Sequence, residues 1–153
     1  TGSVMVDYRG GNFMNLCDLG VNALYQFGSG TAYTPSTIQS AVFGRGWYNP
    51  VGAINSSFKP WTSTLDLRIE FDDIVGTGLT AYLLVLNALN TENVVGVYEG
   101  TGEAGEDGWI ASPEGQVWLK GSPIGEAFYY DRLRDSSNWA NPRMVRFGFA
   151  YSL

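Results

Sequence analysis

Histidine is missing from all 153 residues, and with it go the commonest general base near neutral pH and the commonest metal ligand. Cysteine occurs once, at Cys17, so the chain holds no internal disulfide and its redox compartment cannot be read from thiols. A lone cysteine of this kind reads as a small packing residue before a nucleophile. Charge is scarce too: 16% of residues are charged, where an ordinary soluble domain carries about 25%. Net charge is −6 without a basic cluster. That excludes a nucleic-acid partner, which needs cations set against phosphates, and disfavours an anionic membrane surface. Long apolar runs are also absent. The longest, AYLLVL at 81–86, falls far short of the roughly 18 residues that mark a membrane-spanning helix. The chain opens TGSVMV, with neither a methionine nor a signal-peptide pattern, and its N-terminus reads as a cut.

Motifs that carry catalysis are missing as well. Ser29, Ser36 and Ser56 have no histidine to activate them and no GxSxG context. GSG at 28–30 and GRG at 44–46 lack the Lys-Ser/Thr ending of a phosphate loop. Asp72 and Asp73 are adjacent in a turn, a poor match to two carboxylates facing each other across a glycosidic bond. Glu99, Glu103, Glu106, Asp107, Glu114, Glu126, Asp131 and Asp135 crowd one stretch without EF-hand spacing, and read as a solvated acidic loop. The expectation is therefore no enzyme, no metal and no cofactor.

What the chain does have is strands. TLDLRIEFD sets Leu65, Leu67, Ile69 and Phe71 against Asp66, Arg68, Glu70 and Asp72, one oily face and one charged face at period 2. LGVNALYQF at 19–27 and SVMVDYR at 3–9 alternate similarly, while LTAYLLVLNAL at 79–89 is apolar on both faces. MVRFGFAYSL at 144–153 puts Val145, Phe147, Phe149, Tyr151 and Leu153 on one face, opposite Met144, Arg146, Gly148, Ala150 and Ser152. No stretch reads as a sustained amphipathic helix. The predicted fold is all-β: an antiparallel up-and-down meander of about five strands, near 3–9, 19–27, 64–72, 79–89 and 144–153.

Connections between these strands run short, long, short, long, the long ones being 28–60 and 95–142. In an antiparallel meander alternate connections lie at opposite ends, so the long loops gather at one end. Transmembrane β-barrels have that asymmetry, and strands of about 9 to 11 residues suit their tilted crossing. Tyr25, Phe27, Trp61, Phe71, Tyr82, Tyr98 and Tyr151 sit near strand ends, where aromatic girdles would place them.

With those segments placed, DLGVNALYQFGSGTAYTP at 18–35, KPWTSTLDLRIEFD at 59–72, LTAYLLVLNALNTENVVGVYEGTG at 79–102 and NPRMVRFGFAYSL at 141–153 resemble, in order and spacing, the C-terminal end of a TonB-dependent outer-membrane receptor. The resemblance implies one segment of a larger transmembrane β-barrel in the bacterial outer membrane. Its function would be energy-coupled uptake of a large scarce nutrient: a siderophore, a cobalamin, an oligosaccharide or a peptide. Val145, Phe147, Phe149, Tyr151 and Leu153 would face lipid and form the signal read by the barrel-assembly machinery. Leu153 stands where phenylalanine is commoner. Asp66, Arg68, Glu70 and Arg146 would face the lumen, with Arg146 neutralising part of the acidic wall. Leu84 falls where a lumen-facing polar residue is expected. Tyr33, Trp47, Tyr48, Trp109, Trp118, Tyr129 and Tyr130 are the candidate substrate-contacting loop aromatics. Expected partners are the lipid bilayer, the remaining barrel strands with a plug or other chains, and TonB through an N-terminal part not in this chain. The rival reading is a small all-β binding or structural subunit of a multi-chain surface assembly.

Overall fold

TLDLRIEFD, the strictest alternation in the sequence, forms the central strand of a sheet. The computed structural model describes residues 1–43 and 49–152. Its strands are β1 (Gly2–Phe13), β2 (Cys17–Gly28), β3 (Ala32–Tyr33), β4 (Ser57–Phe58), β5 (Thr62–Asp72), β6 (Leu79–Leu86) and β7 (Met144–Tyr151). The chain divides into two units, one of Thr1–Gly28, Thr62–Glu92 and Asn141–Leu153, the other of Ser29–Trp61 and Asn93–Ala140.

In the first unit five strands lie in the order β1-β2-β5-β6-β7, each antiparallel to its neighbours. The protein is thus mostly β, with one five-stranded antiparallel sheet. Residues 14–16 and 73–78 close the short turns at one end. Met14, Asn15, Asp73 and Val75 adopt positive φ there, and the Val75 N–H donates to the Leu16 carbonyl at 2.6 Å, tying the two turns together. The connections β2 to β5 and β6 to β7 both leave at the other end.

Strand β6 stops at Leu86, three residues before its apolar run ends. Asn87 turns the chain with φ 50° and is buried. Its N–H donates to Asp66 Oδ1 at 2.9 Å, and its own Oδ1 accepts the Thr91 N–H at 3.0 Å. A buried amide so fully satisfied outweighs the β propensity of Ala88 and Leu89.

The second unit contains structure that the alternation pattern does not predict. Beside the short β3–β4 hairpin it holds α1 (Pro113–Gly121) and α2 (Gly125–Leu133). Start and stop signals for α1 are present: Ser112 accepts the Gly115 N–H, Pro113 sits at the first turn, Glu114 follows, and Lys120 lies in the last turn. Nine residues are only about two and a half turns, too short for an apolar stripe to stand out. Gly115 lets α1 close against Trp109 and Ile110, where a Cβ would collide with the backbone. The core here is Ile110, Tyr129 and Leu133, with Val42, Tyr98, Trp109, Trp118 and Leu119 packed around it. Tyr129 and Leu133, four apart on α2, share its buried side.

Candidate functional site

The sheet register gathers the largest apolar side chains of the strands onto one face, with Ser63 among them, and leaves Met5, Leu24, Leu84, Leu86 and Met144 on the other. One row reads Tyr8, Val21, Ile69, Leu83 and Phe147; the next reads Val6, Ala23, Leu67, Val85 and Val145. Leu19, Phe71, Ala81 and Phe149 form a row nearer the short turns, with Leu79 and Tyr151 beyond. Val4, Tyr25 and Leu65 continue the same face toward the other end. Among the described residues of the unit nothing covers this surface at its edges: Phe147 and Phe149 are each 75% exposed. A contiguous apolar patch of this extent on a protein needs a cover. Val145, Phe147, Phe149 and Tyr151 therefore share one exposed apolar face; Leu153 lies outside the described residues.

Asp66, Arg68, Glu70 and Arg146 share the opposite face. Arg68 donates from Nε to Glu70 Oε1 at 2.8 Å and lies 4.9 Å from the ring centroid of Tyr82. Tyr82 in turn covers Gly148 directly across the ladder, so a Cβ there would displace its ring. Arg146 lies on this face, with a sulfur as its hydrogen-bond partner. Its Nε donates to Met144 Sδ at 3.1 Å, and Arg9 joins Arg68 in meeting the acidic wall. From β1 it approaches Glu70 at 3.6 Å and Asp72 at 3.9 Å, because Gly20 between them in the register carries no side chain to block the way. Leu84 does point to this charged face, beside Arg68 and Arg146.

The loop aromatics divide. Trp109, Trp118 and Tyr129 come together with Phe43; Trp109 stacks on Tyr129 with centroids 5.2 Å apart, and Trp118 packs 6.0 Å from the same ring. Tyr129 has no exposed surface, so it holds the second unit together and offers nothing to a substrate. Tyr130 is exposed on α2, and Tyr33 is half-buried in β3. Trp47 and Tyr48 lie outside the described residues.

Asp107 is the residue that sequence reasoning misplaced. Instead of standing in a solvated acidic loop it is 2% exposed. Its Oδ2 accepts the Tyr129 hydroxyl at 2.6 Å and the Ala41 N–H at 2.7 Å, and its Oδ1 accepts the Trp109 N–H at 3.0 Å. With the Tyr129 proton committed, Ser40 donates to Tyr129 Oη at 3.0 Å and accepts the Phe43 N–H at 2.9 Å. The Asp-Gly turn at 107–108 was legible, and an aspartate bonding the N–H two residues on is the usual behaviour of such turns. Its partners 22 and 66 residues away were not.

Burial, then the hydrogen bond to Asp107, pushes the Tyr129 phenol well above its ordinary value. A folded-state pKa raised above the unfolded one contributes stability that is complete below about pH 10 and is lost as pH rises beyond it. Alkaline titration should therefore show one tyrosine ionising only as the near-UV circular dichroism of the tryptophan cluster collapses, and Tyr129→Phe should remove that phase. A phenol that ionises while the near-UV signal stands would contradict the buried network.

Among the described residues no group of three or more cysteine, aspartate or glutamate side chains is placed to hold a metal ion. Family models, curated proteins and solved structures contain no match to this chain.

Proposed function

We propose that the five-stranded sheet is part of the wall of a transmembrane β-barrel, and that the chain is a segment of an outer-membrane receptor for energy-coupled uptake of a large scarce nutrient. The observation that carries this reading is the facial segregation: the rows through Leu19, Val21, Ala23 and Tyr25 are apolar on one face, while Asp7, Arg9, Asn22, Asp66, Arg68, Glu70 and Arg146 all lie on the other, together with the apolar Met5, Leu24 and Leu84. Lipid on one side and a polar lumen on the other ask for that pattern.

Dimensions support it. The apolar positions of β2 run from Leu19 to Phe27, which at about 3.4 Å per residue and a tilt near 40° spans roughly 21 Å of membrane normal, close to the ~25 Å apolar band of such barrels. Within hydrocarbon each strand must be paired on both sides. Here β1 and β7 are the sheet edges. Five strands are fewer than the eight or so of the smallest barrels, so the reading includes further strands, from the same polypeptide or from other chains, along both edges.

The test is fractionation of the native cell envelope, followed with an antibody against the second unit. The expected result is a protein that resists carbonate extraction, co-sediments with outer membrane, and migrates differently on gels before and after boiling. Release by carbonate as a soluble assembly would overturn the proposal in favour of a surface subunit whose apolar face meets other chains.

A further inference from the structure

We propose that a pocket in the second unit binds an organic cation, a positively charged nitrogen carried on a flat or apolar body. The pocket has a volume of about 820 Å³, within the range of small-molecule sites. Ile38, Phe43, Trp109 and Pro113 supply its apolar lining, and Gln39, Ser40, Ser112 and Glu114 its polar side chains. Among the described lining residues Glu114 is the one ionisable side chain.

Three observations choose the occupant. The first is charge: the Glu114 carboxylate beside aromatic side chains attracts a cation and repels an anion, and aromatic rings add cation–π attraction. The second is that the nearby start of α1, which would ordinarily favour an anion, has little left to give. Pro113 has no N–H, the Gly115 N–H is taken by the Ser112 hydroxyl, and Glu114 adds negative charge at that point. The third is rigidity. Asp107 holds the backbone at Ala41 and Trp109, and through Tyr129 it fixes the ring on which Trp109 stacks. Ser40 ties Phe43 into the same network. A wall fixed before the ligand arrives loses little ordering entropy on binding.

The inference stands on the second unit alone. Its failure would leave the barrel reading intact, and failure of that reading would leave the pocket. The experiment is calorimetric titration of the full chain in detergent micelles with three probes that share one ring: benzyltrimethylammonium, benzyl alcohol and benzoate. The ammonium should bind saturably and most tightly, and benzoate weakest. Glu114→Gln, with near-UV circular dichroism unchanged, should weaken the ammonium about tenfold and leave benzyl alcohol unaffected. Should that variant fold poorly, the wild-type chain still decides: raising salt should weaken the ammonium and spare the alcohol. Equal binding of benzoate, an ammonium affinity indifferent to both Glu114→Gln and salt, or no saturable binding would overturn the proposal.

Discussion

Ile69→Arg should be the most damaging single change on the sheet, costing about 2 to 4 kcal/mol of stability in the bilayer, or a factor of roughly 30 to 1,000 in the folded population. Ile69 sits on the central strand in the row Tyr8, Val21, Ile69, Leu83 and Phe147, midway along the apolar band. Phe149 lies one row nearer the short turns, so Phe149→Arg should cost less, because the penalty for a guanidinium falls with distance from the membrane midplane. Gln26 faces the opposite side, paired with Ser3 and Thr64, and Gln26→Arg should be tolerated. Urea titration of the protein assembled in phosphatidylcholine vesicles measures all three. The order matters more than any one value. If a partner protein covered this face, the cost would follow local packing, and Phe149→Arg could equal or exceed Ile69→Arg. A harmless Ile69→Arg beside an intolerant Gln26→Arg would invert the faces and remove the barrel reading.

Sequence alone located the sheet because its signal is local. Alternation at period 2 is written into each strand, and antiparallel pairing in chain order leaves little else to decide. Even LTAYLLVLNAL, apolar on both faces, is resolved once Phe71 pairs with Ala81 and Leu79 with Tyr151, for a one-residue slip would carry the whole row to the other face. What escaped was non-local. Arg9 rather than Arg146 meets Glu70, because the bare Gly20 lies between them, a fact of register and not of spacing along the chain. Helices α1 and α2 escaped for a different reason: each is nine residues long, and the end signals of α1, Ser112, Pro113 and Glu114, stand beside no long periodic stripe. Among the loop aromatics, Tyr33, Trp109, Trp118 and Tyr129 share nothing in the sequence but residue type. Type cannot separate a ring that greets a ligand from one that fills a core, and Tyr129 proved to be the second.

Asp107→Ala should unfold the second unit's core with a loss of about 3 to 5 kcal/mol, because it strands three buried neutral donors while removing the carboxylate itself. Three donors lose their acceptor at once: the Tyr129 hydroxyl and the N–H groups of Ala41 and Trp109. A buried donor left unpaired costs about 1 to 3 kcal/mol, although some of that is recovered where water enters. Tyr129→Phe is the gentler counterpart. It removes one bond to Asp107 and leaves two backbone donors in place, so it should cost about 1 to 2 kcal/mol. Near-UV circular dichroism reports the event directly, since Trp109 and Trp118 both pack on Tyr129. Sheet content followed in the far-UV should persist through that transition if the two units open separately. Equal and small losses for Asp107→Ala and Tyr129→Phe would mean that water takes over the vacated site freely, and that Asp107 does not fix the wall on which the cation pocket depends.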